Sequence, residues 1–596
     1  MILTSTDWVV IALFFIVIFF IGWWASRTSG KNVNEFFLGG RKMPWWLLGV
    51  SMVATTFSAD TPNLVTGMVR ESGVAKNWAW WSFLITGMVT VFIYAKLWRR
   101  SKVLTDLEFY EIRYSGKPAA FLRGFRALYL GVFFNCLIMG AVTLAAIKIS
   151  AVMFGLSPMV TVVSASLAVM IYASIGGFKG VVWADFFQYS IAMVGAIVAA
   201  YVAIKQPEVG SLQSILTHPA LQDKLTILPS FSDPAVYVPM LIVPIAVQWW
   251  AVWYPGSEPG GGGYIAQRML AAKDEKNAIG ATLFFNFAHY ALRPWPWIIV
   301  ALASLLVFPD LNSLKTAFPS IEDQYLGHDA AYPAMLTRLS PGLLGMVLAS
   351  LIAAYMSTIS THLNWGSSYI VNDFYARFIK PDASEKELVR VGRVSTVMLM
   401  VIAGTFSLTF LENATQAFNV LLLSGAGSGA IYLLRWFWWR INAWTEIIAM
   451  MVAGIVGVLF ALVIPDAHFA NEVLDGATMK LLLAVLISTF TWIVSMYLTR
   501  PEDDQKLVDF YKLIRPGGPG WKRIRSQYGL DMEDGRNWDV PQGILCVFLG
   551  CVGIYLALFS IGNFVYGNVV LGCCMLLGFG LATWLLFRLW SKLNIN

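Results

Sequence analysis

Charge is what this sequence has least of. Only 13% of its 596 residues are Asp, Glu, Lys or Arg, about half the share in a soluble protein. Cysteine is scarce as well. The five residues Cys136, Cys546, Cys551, Cys573 and Cys574 all fall inside apolar runs, a placement that suggests neither a disulfide framework nor a metal-ligand spacing. No DDxxD-like acid cluster, HExxH or Gly-x-Ser-x-Gly is present, which argues against a membrane-embedded enzyme. What the chain has in excess is hydrophobic residues, 58% of the total. They recur in runs of about 20, each able to cross roughly 30 Å of hydrocarbon. The fold class expected is an all-α polytopic membrane protein.

About 15 spans are expected, from the apolar runs. They lie near 6–26, 45–69, 78–98, 127–153, 157–175, 183–204, 236–267, 279–307, 341–371, 394–411, 415–434, 442–464, 481–499, 541–561 and 565–587. The first reads as a retained span, because no basic segment precedes it and no small-residue cleavage site follows. Of the 42 lysines and arginines, roughly 33 lie on one set of alternating loops and the C-terminus, which places that side in the cytoplasm. The net charge of +7 then reflects cytoplasmic loops rather than nucleic-acid binding. The N-terminus is expected outside, the C-terminus inside, and the sequon at Asn413 outside. The polar segment at about 500–540 reads as a solvated basic linker, with a partner-binding or regulatory loop as the alternative.

Two spans carry helix breakers. The second, "GVSMVATTFSADTPNLVTGMV", holds Asp60 and Pro62 at its middle. The seventh, "VQWWAVWYPGSEPGGGGYIAQRM", holds two prolines, Glu258 and four consecutive glycines. Such breaks free backbone groups, which hydrocarbon tolerates only where they line a cavity or lie buried in protein. The two spans stand five apart, so they run in opposite directions. A matched pair of interrupted helices in inverted halves points to a secondary transporter's binding site; the alternative is a pair of local kinks.

The ninth span contains "AAYMSTISTHLN", with hydroxyls at Ser357, Thr358, Ser360 and Thr361. On a helix, Ser357, Thr361, Ala354 and Thr358 span about 100° of arc, and Ser360 lies about 60° to the other side. Small residues on one face also serve close helix packing. Packing alone does not call for adjacent pairs of hydroxyls, whereas a hard monovalent cation needs several neutral oxygens. Both readings stand at this level.

The stretches "FFLGGRKMPWW", "SMVATTFSAD", "YASIGGFKGVVWADFFQ", "YIAQRMLAAK" and "MSTISTHLNWGSSYIVNDFY" make the chain resemble the sodium:solute symporter family. The resemblance spans about residues 35–375. It implies a five-plus-five inverted-repeat (LeuT-type) core, with 1–44 and 441–596 peripheral to a ten-helix unit at 45–440. By motif, a main sodium site would use carbonyls of Ala54, Phe57 and Ala354 and hydroxyls of Ser357 and Thr358. Some members have a further site, matched here by Asp185 with Ser357, Ser360 and Thr361. Sodium ions are therefore the expected coupling partners, two per cycle, in the cell (inner) membrane. Where the sugar carriers have an aromatic gate before YIxQR, this chain places Glu258, so the resemblance fixes neither the gate nor a sugar specificity.

A small polar solute (sugar, amino acid or organic acid) is expected between the breaks, with Asp60, Thr61, Lys148, Glu258, His289 and Arg293 as candidate contacts. His289 and Arg293 are four apart and share a face; a buried Arg293–Glu258 pair is the structural alternative. Rival functions are a proton-coupled carrier using Asp60, Glu258 or Asp185, and a membrane sensor.

Overall fold

The computed structural model describes residues 3–29, 33–251, 258–411, 422–423, 425, 427–530, 538–590 and 593. Among them, ten helices are long and apolar enough to cross a bilayer. Four shorter apolar helices, Trp45–Thr56, Pro158–Met170, Pro234–Ala246 and Ala443–Val458, fall where further spans are expected. Of the span expected at 415–434, positions 415–421, 424 and 426 lie outside the described residues, as does Asn413, and its end is the helix Gly429–Leu434. Helix runs from Pro158 to Ile204, 47 residues, where two spans are expected. No proline follows Pro158 in that stretch, so every later amide is able to join a helical ladder. Its two parts meet different partners: Val162 faces Gly404, and Gly180 faces Ala25.

The hydroxyl-bearing span is the helix Leu343–Ser368, which continues in a π-helical register to Ile379. Close neighbours enclose it. Gly195 leaves room for Ser350, and a Cβ on Gly366 would sit 2.7 Å from the Gly131 carbonyl. Its first turn is capped in trans by the N-terminal helix Ser5–Ser29. Asp7 Oδ1 accepts the amides of Gly342 at 2.8 Å and Gly345 at 2.7 Å. Asp7 Oδ2 accepts the amide and hydroxyl of Thr4. A helix start buried in this way needs acceptors for its orphan amides, and a carboxylate also suits the positive end of the dipole. Asp7→Ala is expected to cost about 2 kcal/mol on the scale of lost charged caps. Thermal unfolding of the purified protein checks this, and Asp7→Asn, which keeps one acceptor, should lose less.

The last two helices, Val540–Val565 and Val569–Trp590, flank the outside of the third and eighth spans. Trp295 Nε1 donates to the Leu558 carbonyl and Tyr555 Oη to that of Trp81, both at 2.9 Å. The segment expected to be a solvated linker is instead folded in its described part. It forms the helices Asp504–Ile514 and Lys522–Tyr528. Leu507, Phe510, Ile514 and Trp521 are buried, and Trp521 Nε1 donates to the Trp436 carbonyl. The reason is an apolar stripe at i, i+3 and i+7 (Leu507, Phe510, Ile514) that its many charges conceal.

Candidate functional site

The second span divides into two half-helices, Trp45–Thr56 and Asp60–Ser72. Pro62 sits in the first turn of the second half, where its missing amide costs no bond. The break itself falls at 57–59, three residues upstream. Its freed carbonyls find defined partners. Thr55 O accepts Thr358 Oγ1 at 2.7 Å. Thr56 O accepts Arg293 Nη1 at 2.5 Å and Thr61 Oγ1 at 3.3 Å. The C-terminal end of a half-helix carries partial negative charge, which is where a cation is best held.

Ser357 and Thr358 are buried and face this break. Ser357 Oγ donates to Asp185 Oδ1 at 2.6 Å, and Thr358 donates to Thr55 as described. Both protons are thus directed elsewhere, and each oxygen keeps lone pairs for a cation. Asp185 also accepts Ser51 Oγ at 2.5 Å. Arg268 enters the same cluster: it donates to Ser51 Oγ at 3.2 Å and Thr361 Oγ1 at 3.0 Å, and lies 3.6 Å from Asp185. Ser360 turns back to the Ser357 carbonyl at 3.1 Å. Three of the four residues expected at a second site therefore converge, with an arginine among them.

The eighth span is interrupted too. Glu275–Phe287 passes through a π-helical turn, Ala288–Leu292, before Pro294–Val307. Pro294 and Pro296 supply no amides there, and π turns recur at functional positions. His289 lies in this turn. Its Nε2 meets Arg293 Nη2 at 3.0 Å and its Nδ1 meets Thr56 Oγ1 at 2.9 Å. A guanidinium only donates, so Nε2 accepts and the proton resides on Nδ1. Thr56 Oγ1 passes its own proton to the Val53 carbonyl at 3.0 Å. His289 and Arg293 therefore clamp the end of the first half-helix. Asp60 accepts Ser58 Oγ at the start of the second half.

The seventh span breaks as expected, although 252–257 lie outside the described residues. Beyond Glu258, Gly260 and Gly261 take φ of +84° and +86°, backbone that residues with a Cβ rarely adopt. The second half-helix, Gly263–Ala271, begins on Asp106, whose Oδ2 accepts the Gly263 amide at 2.8 Å. Glu258 pairs with Arg126, not Arg293, so the expected structural pair does not form. Arg126 also donates to Tyr432 Oη. Lys148 pairs with Asp329 at 2.7 Å, beside Gly67. Seven residues separate Gly67 from Asp60, about 10 Å along the helix. Lys148 is the expected contact that the fold does not bring to the breaks.

Glu258 and His289 line one small cavity of about 30 Å³, with Thr86, Gly87 and Thr90 from the third span and Thr282, Asn286 and Tyr290 from the eighth. A volume of that order holds one or two waters, so the site is nearly closed in this conformation. Sequence reasoning missed Asn286, Thr282, Arg126 and Arg268. The first two carried a signal: Thr282, Asn286, His289 and Arg293 recur at i, i+4, i+7 and i+11 on an otherwise apolar helix.

Two interrupted helices in opposed halves, meeting a buried hydroxyl face, define a secondary transporter of the LeuT fold. A solved sodium-coupled sialic acid symporter, in a substrate-bound outward-open state, has the same fold. It superposes with a TM-score of 0.65 at 19% identity, over 84% of this chain and 99% of that one. The sodium:solute symporter family model matches residues 36–454, and the chain belongs to that family. A sodium/glucose cotransporter of Vibrio parahaemolyticus is 26% identical over 85% of this chain and 92% of its own length. The sodium/sialic acid symporter SiaT of Proteus mirabilis is 26% identical over 74% of this chain and 86% of its own. The family and these relatives are transporters, not enzymes, and the chain is a multi-pass membrane protein.

Proposed function

We propose that this chain is a sodium-coupled symporter that imports a small polar solute by alternating access. The main sodium is held by the carbonyls of Ala54, Phe57 and Ala354 and the hydroxyls of Ser357 and Thr358. The observation that carries this reading is the 2.7 Å bond from Thr358 Oγ1 to the Thr55 carbonyl, which sets the hydroxyl face against the negative end of a broken helix. The solute lies between the two breaks, reached by Asp60, Thr61, Glu258, His289 and Arg293. Lys148, in its pair with Asp329, acts at the rim. Residues 45–440 form the transport core, and 1–44 and 441–596 are additions. The N-terminus lies outside and the C-terminus in the cytoplasm of the cell (inner) membrane.

Each sodium entering with the membrane potential contributes about 2.3 kcal/mol per 100 mV. Sodium must raise solute affinity, and by linkage the solute raises sodium affinity equally. Uptake into proteoliposomes tests the reading. It should follow an inward sodium gradient, fall away with potassium in place of sodium, and survive collapse of the proton gradient. Uptake that persists without sodium and stops with the proton gradient would replace sodium by protons.

A second sodium belongs at Asp185, Ser357, Ser360 and Thr361. Because Arg268 now stands beside Asp185, this ion enters only as the guanidinium withdraws. Asp185→Asn should lower the sodium-to-solute ratio from two toward one. A ratio of one in the unaltered protein removes the second site and leaves the first.

A further inference from the structure

Gln188 is a buried polar side chain on the helix Pro158–Ile204, one turn beyond Asp185. Among the described residues, neither its Oε1 nor its Nε2 has a hydrogen-bond partner. Asp185 differs: its two oxygens accept Ser51 and Ser357. A buried amide left unpaired bears the desolvation penalty of both groups, so it calls for a reason.

Contacts on both sides fix where Gln188 lies. Asp185 meets Ser51, and the ring of Tyr189 meets that of Phe57 edge to face, with centroids 6.0 Å apart. Residue 188 falls between these two levels, beside Ala54 at the end of the first half-helix. On the other side, Asp185 meets Ser357, and a Cβ on Gly195 would meet Ser350 and Val347. The two helices therefore run antiparallel. One turn up from Asp185 is one turn back from Ser357, the level of Ala353 and Ala354. At 100° per residue, Gln188 is turned about 60° from Asp185, and Gly195 about 80° to the same side. Both of these residues touch the hydroxyl-bearing helix, so Gln188, lying between them, faces it as well. Ala353 and Ala354 end at Cβ and do not fill the space in front of the amide.

Gln188 thus adjoins both backbone segments whose carbonyls, from Ala54, Phe57 and Ala354, are assigned to the main sodium. An amide oxygen is a neutral ligand of the kind hard cations take, with two lone pairs. A half-turn of the amide exchanges oxygen and nitrogen. On the reading that the main sodium lies at this break, we propose that Gln188 Oε1 is a further ligand of that ion. The ion is then the partner that the buried oxygen lacks. Sodium is held by three helices rather than two, and the third is the one that carries Asp185.

The test uses the full chain purified in detergent and sodium chloride itself as the probe, with potassium chloride holding total salt constant. Thermal stabilisation is the readout. Gln188→Met keeps the length and bulk of the side chain and removes the amide. The sodium concentration for half-maximal stabilisation should rise about tenfold or more, the scale of one oxygen lost from a charged partner. In potassium alone the variant should melt at the same temperature as the unaltered protein or higher, since an unpaired buried amide has given way to an apolar group. A glutamine with a purely structural role would do the reverse. A lower melting temperature in potassium, or an unchanged sodium response, overturns the ligand. Gln188→Glu, which keeps an oxygen at the same reach, should retain the sodium response; a loss as large as that of Gln188→Met overturns the ligand too. Ser357→Ala measured alongside separates the two levels of the claim. A response weakened in Ser357→Ala but intact in Gln188→Met removes Gln188 and leaves the main site. A response intact in both removes the site itself.

Discussion

Replacing Ser357 or Thr358 by alanine raises the sodium concentration for half-maximal uptake by roughly 10- to 100-fold, the equivalent of losing one hydrogen-bonding oxygen from a charged partner. The expectation comes from how both hydroxyls are held. Ser357 gives its proton to Asp185 and Thr358 gives its proton to Thr55, so the lone pairs of each are available to a cation. Alanine removes the oxygen and adds no bulk. Solute affinity measured at saturating sodium should change little, since neither hydroxyl lines the cavity beside Glu258 and His289. That separation distinguishes loss of a ligand from general damage. Sodium dependence left unaltered in both variants would remove the site at this break.

Arg126→Met lowers stability by about 3–5 kcal/mol, the cost of leaving a buried carboxylate without its counter-charge. Arg126 and Glu258 are both within 2% of complete burial. With Arg126 gone, Glu258 would have neither oxygen paired among the described residues, because Oε2 already lacks a partner there. The double variant Arg126→Met, Glu258→Leu should recover most of the loss in thermal unfolding, since replacing both members of a buried pair by apolar side chains is often neutral. Transport would remain absent in the double variant. A single variant as stable as the unaltered protein would mean that water reaches Glu258 in the resting fold.

The parts of this molecule that could be read from its sequence are those encoded within one helix. The two breaks announce themselves through Pro62 and the glycines at 260–263. The hydroxyl face follows from the spacing of Ser357, Thr358 and Thr361. What escaped reading are the partnerships between residues remote in sequence. Arg126 meets Glu258 across 132 positions, and Asp7 meets Gly342 across 335; no local pattern ties them. Arg268 was visible inside a quoted motif, yet its place beside Asp185 depends on how three helices converge. The 500–540 segment misled because its charges dominate the composition while its apolar residues recur at helical spacing. The Thr282–Arg293 stripe was legible in principle and was obscured by reading each ionisable residue singly.

The carboxylate of Asp7 ties the N-terminal helix to the start of the one that bears the hydroxyls. The two elements are joined in this conformation, and they are expected to move together in the transport cycle proposed above. An optical or spin probe on the exposed side of the N-terminal helix would therefore report the movement of the helix proposed to hold sodium.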